Sequence, residues 1–560
     1  MKGEYTMKKI FWFKTVITLT LAFAMFIGTA SASAEPWRFG LMADTQWTIT
    51  ADPLGQNPNS VSVSIINQLT QQFLIQDVKF VIEVGDLTDN GTDAGLISRA
   101  AAAQPLYAAG IGFFPMRGNH ETYSPTPNNY GITQFQASFP QTQGTSNTFG
   151  ATNFSSPTSV STDLTGMSYS FDYGPVGGSA RFVIIDPWVT PSKNVAPGDG
   201  YNYGYSIADQ QTWISSRLDK NSRGTVHAFV FSHQPLMAES HQDSPFTGYT
   251  NANPEMQNAF FASLQDNNVG YYISGHDHMH QRSIIASPDG KSDVHETICS
   301  SDSSKFYTPK SLTDPNWFGQ KTRETPLSQE LYTVGYYIYT VDGPCVTVDY
   351  YSDMHGQWQS DSNYPDGSGL PDTAITPILY FVKKETWGYC LNGKEFLVAQ
   401  GKSYNTVQDS YSGTTAKILG GTNGSTVTDY TGRALAKAVD TGWFPKNVST
   451  ASNILRLQGI AGLGSSQTDT YALSMSYNTK GLKTADLKKG LVGLATRDEN
   501  GNWVNAVDFN IGGTKQFVLG PWNASYGLGT YGVDQKTKTA WAVINYQGDF
   551  SIASFNDYED

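Results

Sequence analysis

The chain has 560 residues, a hydrophobic content of 39%, a charged content of 15% and a formal net charge of −13. This length exceeds what one hydrophobic core usually supports, and the composition is that of an ordered protein, so we expect two or more folded domains. The acidic balance excludes a broad nucleic-acid-binding surface, because polyanions would be repelled at long range. The three cysteines, Cys299, Cys345 and Cys390, allow at most one disulfide by any of three pairings, which excludes a disulfide-built scaffold.

The first 34 residues have the pattern of a secretory signal. Lysines precede an apolar run over residues 16–27, and the small-residue site Ala32-Ser33-Ala34 follows. An uncleaved anchor is the alternative, but the run is shorter than the ~20 residues that a spanning helix needs. We therefore expect a secreted or periplasmic protein with no membrane span after cleavage.

Between residues 38 and 353, short apolar runs alternate with helical periods, which is typical of an α/β domain. The predicted strands cover residues 38–42, 79–84, 112–116, 181–185, 225–231 and 270–274. The predicted helices cover residues 63–76, 95–109, 207–218 and 255–266. Two β-rich runs, 336–340 and 345–350, flank a turn signal and predict a hairpin. Ligands of open α/β sheets bind beyond the carboxyl ends of the strands, so the residues that follow the strands are the candidates for a site.

The composition changes over residues 359–377, which are rich in Ser, Asp, Gly and Pro and predict a linker or long loop. This places one domain at residues 35–358 and a second at residues 378–560. Short alternating runs, such as 490–495 and 540–544, are separated by Gly, Asn and Thr turns in the second domain. We expect a mainly antiparallel β domain there, most simply a sandwich.

Five segments place carboxylate, amide and imidazole groups at the ends of predicted strands. They are Asp44-Thr45-Gln46, Gly85-Asp86 with Asp89, Gly118-Asn119-His120-Glu121, His233 and Gly275-His276-Asp277-His278. A carboxylate has two oxygens and can bridge two cations, while an asparagine side chain offers a neutral oxygen. Imidazole combined with carboxylate suits zinc, iron, manganese or a similar ion. The pattern therefore predicts a metal site.

In this order the segments resemble the calcineurin-like metallophosphoesterase family. The resemblance covers residues 38 to 350 and implies a calcineurin-like α/β sandwich, here followed by the β-rich domain. It implies two divalent metal ions. The first would be held by Asp44, Gln46, Asp86 and His278, and the second by Asp86, Asn119, His233 and His276.

The same resemblance implies that His120 is catalytic and not a metal ligand. It would stabilise the transition state or protonate the leaving oxygen, while Asp89 orients it and Glu121 supports the site from behind. A metal-activated hydroxide would then attack phosphorus. The expected activity is hydrolysis of phosphomonoesters, phosphodiesters or nucleotides, with a small-molecule phosphate ester or nucleotide as substrate.

Two alternatives stay open. Gln46 stands where the family more often has histidine, and a neutral amide would favour manganese or magnesium or leave the first site loosely filled. The chain would then be a catalytically weakened binding or surface protein on the same fold. In the other alternative, the C-terminal domain is a carbohydrate or cell-wall binding module. It would bind through the tryptophans Trp443, Trp503, Trp522 and Trp541, which would otherwise form core or interdomain contacts.

Other polar residues have less specific interpretations. His227 lies within a predicted strand, and we expect it to be a packed, hydrogen-bonded histidine. His241 and His280 come soon after ligand segments and are candidates for contact with substrate phosphate, with packing as the alternative. Asp186 ends a strand before a proline, which favours a turn-forming role.

Overall fold

The structure is a computed structural model. It describes residues 35–49, 52–122, 131–159, 164–189, 207–241, 243–246, 252–310, 318–353, 376, 378–398, 414–421, 438–443, 450–458, 467–498 and 500–555. The predicted signal over residues 1–34 and most of the predicted linker over residues 359–377 lie outside this set, so both stay predictions. Within the described ranges, no helix is both long enough and apolar enough to cross a bilayer.

The predicted α/β elements are present, with ends that agree to within three residues. The strands of this part are β1 (Trp37–Met42), β2 (Phe80–Glu83), β3 (Gly112–Pro115), β4 (Thr152–Ser155), β5 (Tyr169–Tyr173), β6 (Ala180–Ile185), β7 (His227–Ser232), β8 (Tyr271–Ser274), β9 (His280–Ala286), β10 (Asp293–Ile298), β11 (Glu324–Glu330), β12 (Gly335–Asp342), β13 (Cys345–Asp353) and β14 (Phe381–Cys390). The helices are α1 (Val63–Ile75), α2 (Asp93–Ala102), α3 (Gln104–Ala108), α4 (Ile132–Ser138), α5 (Ile207–Leu218) and α6 (Pro254–Gln265).

The single helix predicted over residues 95–109 is divided into α2 and α3. Pro105 stands at the start of α3, where its missing amide hydrogen costs no helical hydrogen bond. A proline in the middle of one continuous helix would remove such a bond, and this explains why the chain begins a new helix there.

Two sheets form the centre of the N-terminal part. The first has the order β14-β13-β12-β1-β2-β3, and the second has the order β11-β9-β10-β8-β7-β6-β5-β4. Strands β1, β2 and β3 are parallel to one another, and so are β6, β7 and β8. The segments that carry the candidate ligands follow the carboxyl ends of five of these strands, where a ligand crevice is expected in α/β sheets.

The sheets stack face to face, and helices cover their outer faces. Phe39 of β1 lies 5.4 Å from Phe229 of β7, measured between ring centroids, so these side chains join the two sheets. The next inward residue, Leu41, belongs to the same core, whereas Met42 faces outward and packs with Phe73 of α1. This alternation follows from the two-residue period of a strand. Helices α5 and α6 cover the second sheet, which gives a four-layered α/β sandwich.

The predicted hairpin is confirmed by the antiparallel pairing of β12 with β13. Strand β14 follows the predicted linker and pairs with β13, so it extends the first sheet. Cys345 and Cys390 are opposite each other on these two strands and form a disulfide. Cys299 is free and buried. The tertiary structure thus selects one of the three pairings that the sequence allows.

The C-terminal part is built from two further sheets, mostly antiparallel, as expected. Its strands are β15 (Gly393–Val398), β16 (Ala416–Gly421), β17 (Ala438–Trp443), β18 (Ile454–Leu457), β19 (Gln467–Ser476), β20 (Val492–Arg497), β21 (Trp503–Asn505), β22 (Gln516–Leu519), β23 (Thr530–Asp534), β24 (Thr539–Tyr546) and β25 (Gly548–Ser554), with one helix, α7 (Thr484–Lys489). The sheet orders are β15-β17-β18-β25-β20-β21 and β16-β19-β24-β23-β22. Both sheets contribute side chains to one core, including Leu494 from one and Ile544 from the other. Only the pair β22 and β23 is parallel among the described strands of this part.

Candidate metal centre

The backbone is strained at the positions that carry the predicted ligands. Asp44, Asp86, His276 and His278 have φ angles of 54°, 53°, 72° and 52°. Non-glycine residues rarely adopt this left-handed conformation, which costs on the order of 1–3 kcal/mol at each position. Such strain persists only where the surrounding structure enforces it, and its concentration in four candidate ligands indicates a functional site.

Glycines allow these segments to approach one another closely. A side chain on Gly118 would place its Cβ 2.0 Å from Asp86 Oδ1 and 2.4 Å from the Asp86 backbone nitrogen. A Cβ on Gly85, whose φ is 84°, would lie 2.4 Å from His233 Nδ1. These glycines are therefore part of the site, because any larger residue would displace Asp86 or His233.

The structure brings the predicted ligands into two adjacent groups. Asp44, Asp86 and His278 form one, and Asp86, His233 and His276 form the other; the ligand atoms within each group lie within 4.8 Å of one another. All of these side chains are buried. Asp86 belongs to both groups, as expected of a carboxylate that bridges two cations.

Asn119 and Gln46 complete these groups with amide side chains. Asn119 Oδ1 lies 3.1 Å from His233 Nε2, on the side of the second group. Gln46 Nε2 donates a hydrogen bond to Asp86 Oδ2 at 3.1 Å and lies 3.2 Å from His278 Nε2, on the side of the first. Every residue predicted as a metal ligand therefore lies at this one location.

The Gln46 amide fits a role as an oxygen ligand. Its Oε1 is buried and has no hydrogen-bond partner. The oxygen and nitrogen of a glutamine amide have nearly the same shape, so a half-turn of the amide places Oε1 beside Asp86 and His278. An amide oxygen that faces a carboxylate and the lone pair of an imidazole nitrogen is repelled by both, and a cation between them removes this repulsion.

Two of the imidazoles are oriented by backbone carbonyls. His233 Nδ1 lies 2.7 Å from the Val84 carbonyl oxygen, and His278 Nδ1 lies 2.7 Å from the Lys305 carbonyl oxygen. Each Nδ1 must carry a proton to donate these hydrogen bonds, so the lone pair is on Nε2. Metal-binding histidines are commonly held in this way, and both Nε2 atoms point toward the carboxylates of the site.

The charges of the site favour a bound cation. Burial raises the pKa of Asp44 well above its usual range, and the adjacent Asp86 carboxylate raises it further. For Asp86, burial acts in the same direction, but the imidazoles of His233 and His120 outweigh it and lower its pKa. Burial lowers the pKa of His278 well below its usual range, which keeps this ring neutral. A divalent cation would displace the proton of Asp44 and relieve the repulsion between the two carboxylates.

His120 lies at the edge of the two groups and is more exposed than they are. Its side chain is 15% exposed, against 1% for Asp86. His120 Nδ1 lies 2.5 Å from the backbone oxygen of Asp89 and 3.4 Å from Asp89 Oδ1. His120 Nε2 faces the site at 3.8 Å from Asp86 Oδ2. The backbone oxygen of Asp89 is therefore the nearer of the two Asp89 partners of the ring, and Nε2 is on the side of Asp86.

Glu121 supports the loop that carries Asn119 and His120. Its carboxyl group accepts hydrogen bonds from the backbone amides of Gly118 at 2.8 Å and Thr88 at 3.0 Å. Burial, followed by the charge of Asp86, raises the pKa of Glu121 to about 8. This side chain ties the second and third motif segments together.

The other polar residues singled out in the sequence have structural partners. His227 is buried, with Nδ1 3.0 Å from the Tyr389 hydroxyl and Nε2 2.8 Å from the Gly343 carbonyl, which agrees with a packed histidine. His280 contacts Tyr337 and Glu385. These contacts favour packing as the role of His280.

Asp186 and His241 lie near the site. Asp186 accepts from the Trp188 amide at 2.9 Å, as a turn-forming residue does, and also forms a buried ion pair with Arg117 at 2.8 Å. The ring of His241 is 4.1 Å from that of His276, so His241 borders the metal centre. The ion pair of Asp186 was not foreseen, because nothing in the local sequence relates the two residues.

Sequence reasoning also missed Asp243, whose Oδ1 lies 3.2 Å from His276 Nε2. This aspartate follows His233 by ten residues, in a loop without a recognisable pattern. A polar residue in the loop after a ligand-bearing strand is the only signal that the sequence carries for it.

Comparisons with known proteins agree with this geometry. Residues 38–280 match the family described as calcineurin-like phosphoesterase. No curated protein matched the chain.

Several solved structures are similar to the chain. GAP50, the anchor in the inner membrane complex of Plasmodium, has 16% identity and a TM-score of 0.34, with 57% of this chain and 86% of that chain covered. A dimetal phosphatase from Danio rerio has 15% identity and a TM-score of 0.33, with 56% and 96% covered. The purple acid phosphatase PPD1 from yellow lupin (Lupinus luteus) has 15% identity and a TM-score of 0.38, with 58% and 52% covered.

The family match covers β1 to the start of β9, and it therefore includes every strand end that carries a candidate ligand. Residues 38–280 thus match the calcineurin-like phosphoesterase family, and the protein is a metal-dependent phosphoester hydrolase.

Proposed function

We propose that this protein is an exported phosphohydrolase that uses two divalent metal ions to cleave small phosphomonoesters, phosphodiesters or nucleotides. The observation that carries this proposal is the pair of buried ligand groups that share Asp86. The first ion is assigned to Asp44, Gln46, Asp86 and His278, and the second to Asp86, Asn119, His233 and His276. The oxygen-rich first group suits manganese or magnesium, whereas the two imidazoles of the second also suit zinc or iron.

When bound, such ions supply a hydroxide nucleophile near neutral pH and neutralise the phosphoryl oxygens. The chain's own contribution to leaving-group departure is His120. With Nδ1 held by the Asp89 carbonyl, a protonated Nε2 would donate to the departing oxygen as negative charge develops on it. General acid catalysis of this kind is worth about 10²–10⁴ in rate.

The proposal is tested with purified protein and a nitrophenyl phosphate ester. The wild type should lose activity to a chelator and recover it with a divalent metal, and metal analysis should give two ions per chain. Asp86→Asn should empty both sites, while His120→Ala should keep both ions and lose about 10²–10⁴ in kcat. A wild type without metal-dependent turnover would favour the alternative of a weakened binding protein.

Export is part of the proposal. It is supported by the signal pattern of residues 1–34 and by the Cys345–Cys390 disulfide, since stable disulfides form mainly outside the reducing cytoplasm. Expression with the signal intact, followed by N-terminal sequencing of the protein outside the cytoplasm, tests this; a mature chain that starts near Glu35 is expected.

Carbohydrate binding by the C-terminal part is a second candidate. A cavity of about 560 Å³ there is lined by Trp503 and Tyr531 together with polar residues that include Asn502 and Asn505. Aromatic faces beside amide groups suit polyhydroxylated ligands. Trp541, in contrast, is buried and belongs to the packed interior, as its structural interpretation requires. Retention of the full chain on insoluble glycan, lost in Trp503→Ala, is the expected result; equal retention of both proteins would remove the candidate.

A further inference from the structure

Asp243 contacts the metal centre without belonging to the expected ligand set. Its Oδ1 lies 3.2 Å from His276 Nε2, and its Oδ2 accepts a hydrogen bond from Gln234 Nε2 at 2.7 Å. The Asp243 side chain is 29% exposed and that of His276 is 5% exposed. The carboxylate is therefore more exposed to solvent than the imidazole that it contacts.

This contact determines which nitrogen of His276 can bind a cation. Nε2 must carry a proton to donate a hydrogen bond to Asp243, so the lone pair of the neutral ring is on Nδ1. The residue is also fixed at its backbone, because the His276 amide donates to Asp44 Oδ1 at 3.0 Å. Ring and main chain are thus both held in position.

His276 differs from the other two imidazoles of the centre in the kind of partner that it has. His233 and His278 each donate to a neutral backbone carbonyl, whereas His276 donates to a carboxylate. A negatively charged partner makes the imidazole a stronger electron donor than a carbonyl does, and a carboxylate–histidine–metal arrangement both orients and strengthens the ligand.

The loop that carries Asp243 is itself held against the motif that carries His276. Asp277 accepts hydrogen bonds from the Ser240 hydroxyl at 2.7 Å and from the His241 amide at 3.2 Å. Gln234, which also contacts Asp243, is adjacent in sequence to His233. Asp243 therefore connects the two loops whose histidines are assigned to the second ion.

We infer that Asp243 is a positioning residue for the second metal site, which acts through His276 by fixing its protonated nitrogen and raising its donor strength. The inference rests on the proposed two-metal function and adds a residue that the family motif does not contain. Asp243, which is outside the ligand set, would then increase the affinity of the chain for the second ion and leave its affinity for the first ion unchanged.

The test compares Asp243→Ala and Asp243→Asn with wild type and with Asp289→Asn as a matched control. Asp289 is a carboxylate of similar exposure, 31%, in the turn between β9 and β10. The affinities of both manganese ions are measured by competition with a chelator, and the melting temperature of each metal-free protein is recorded. Asp243→Ala should bind one ion about 10–100-fold more weakly and the other as in wild type.

Asp243→Asn should lose less, because its amide oxygen still accepts the hydrogen bond but carries no charge. The control should bind both ions as wild type does, and metal-free melting temperatures should agree, which separates a ligand effect from misfolding. Unchanged affinities in Asp243→Ala, or equal weakening of both ions, would overturn the inference.

A double-mutant cycle shows whether Asp243 acts through His276. In a His276→Ala background the further change Asp243→Ala should cost no additional metal affinity, because the ring on which it acts is gone. Additive losses would refute the inference. If the wild type binds two ions and the Asp243 variants bind them equally well, the inference is refuted and the proposed function is not. If the wild type binds no metal, both the inference and the proposed function are refuted.

Discussion

Replacement of Gly118 by alanine tests the close approach on which the metal centre depends. The added methyl carbon would lie 2.0 Å from Asp86 Oδ1 and 2.4 Å from the Asp86 backbone nitrogen. An ordinary contact begins at about 3.4 Å, so one of the two segments must move by about 1 Å. Rotation of the Asp86 side chain cannot relieve the contact with the backbone nitrogen.

A displacement of about 1 Å in a positioning element commonly costs about 10²-fold in rate, which corresponds to about 2.7 kcal/mol of transition-state stabilisation. Because Asp86 is shared between both ligand groups, Gly118→Ala should lower kcat/KM for a nitrophenyl phosphate ester by about this factor and weaken both ions together. Steady-state kinetics at saturating metal and a chelator titration measure the two effects separately.

Gly527→Ala is the matched control, because a Cβ at Gly527 would meet nothing within 4 Å. It introduces the same methyl group without a clash and should behave as wild type. A Gly118→Ala protein with wild-type kcat/KM and wild-type metal affinity would refute the geometry described for Asp86. Equal melting temperatures of the metal-free proteins would show that any loss arises at the site.

Three further predictions concern other parts of the molecule. Gln46→His should strengthen the first site for zinc relative to manganese, since an imidazole replaces a neutral oxygen; competition between the two metals measures the ratio, and an unchanged ratio would contradict the ligand role of Gln46. Burial lowers the pKa of His227 from 6.5 to about 4, so the unfolded chain takes up a proton at a higher pH than the folded chain does. The free energy of unfolding should therefore fall by about 3 kcal/mol as the pH drops from 6.5 to 4. His227→Gln should show a correspondingly smaller shift of its urea midpoint over this pH range, and an identical shift would refute the assignment. The Nζ of Lys305 lies 4.5 Å from the Tyr307 ring centroid, and its charge acts on Asp89 and His278. This charge should attract a phosphate dianion, so Lys305→Met should raise KM about tenfold at low salt. A wild-type KM would count against this role.

The order and type of the central N-terminal elements could be predicted from the sequence, because they depend on local patterns of burial, whereas β4, β5, β9, β10, β11 and α4 were not predicted. Apart from the arginine at the first position of each, the runs over residues 38–42 and 181–185 contain only apolar residues and one glycine. They correspond to β1 and β6, whose residues after that arginine are buried on both faces. Residues at strand ends, such as Asp44 and His233, were recognisable because the carboxyl ends of neighbouring parallel strands meet at one edge.

Contacts between distant segments were decided only by the tertiary structure. Asp243 and His276 are 33 residues apart, and no periodicity relates them. The disulfide partner of Cys345 depends on the register of β13 with β14. Strand β14 follows a segment that the composition alone marks as a linker, so this pairing could not be read from the sequence. The local sequence encodes which side chains are buried and where a strand ends. The contact of Asp243 with His276 and the disulfide of Cys345 depend instead on how the sheets stack and which loops and strands then meet, and this is a property of the whole chain.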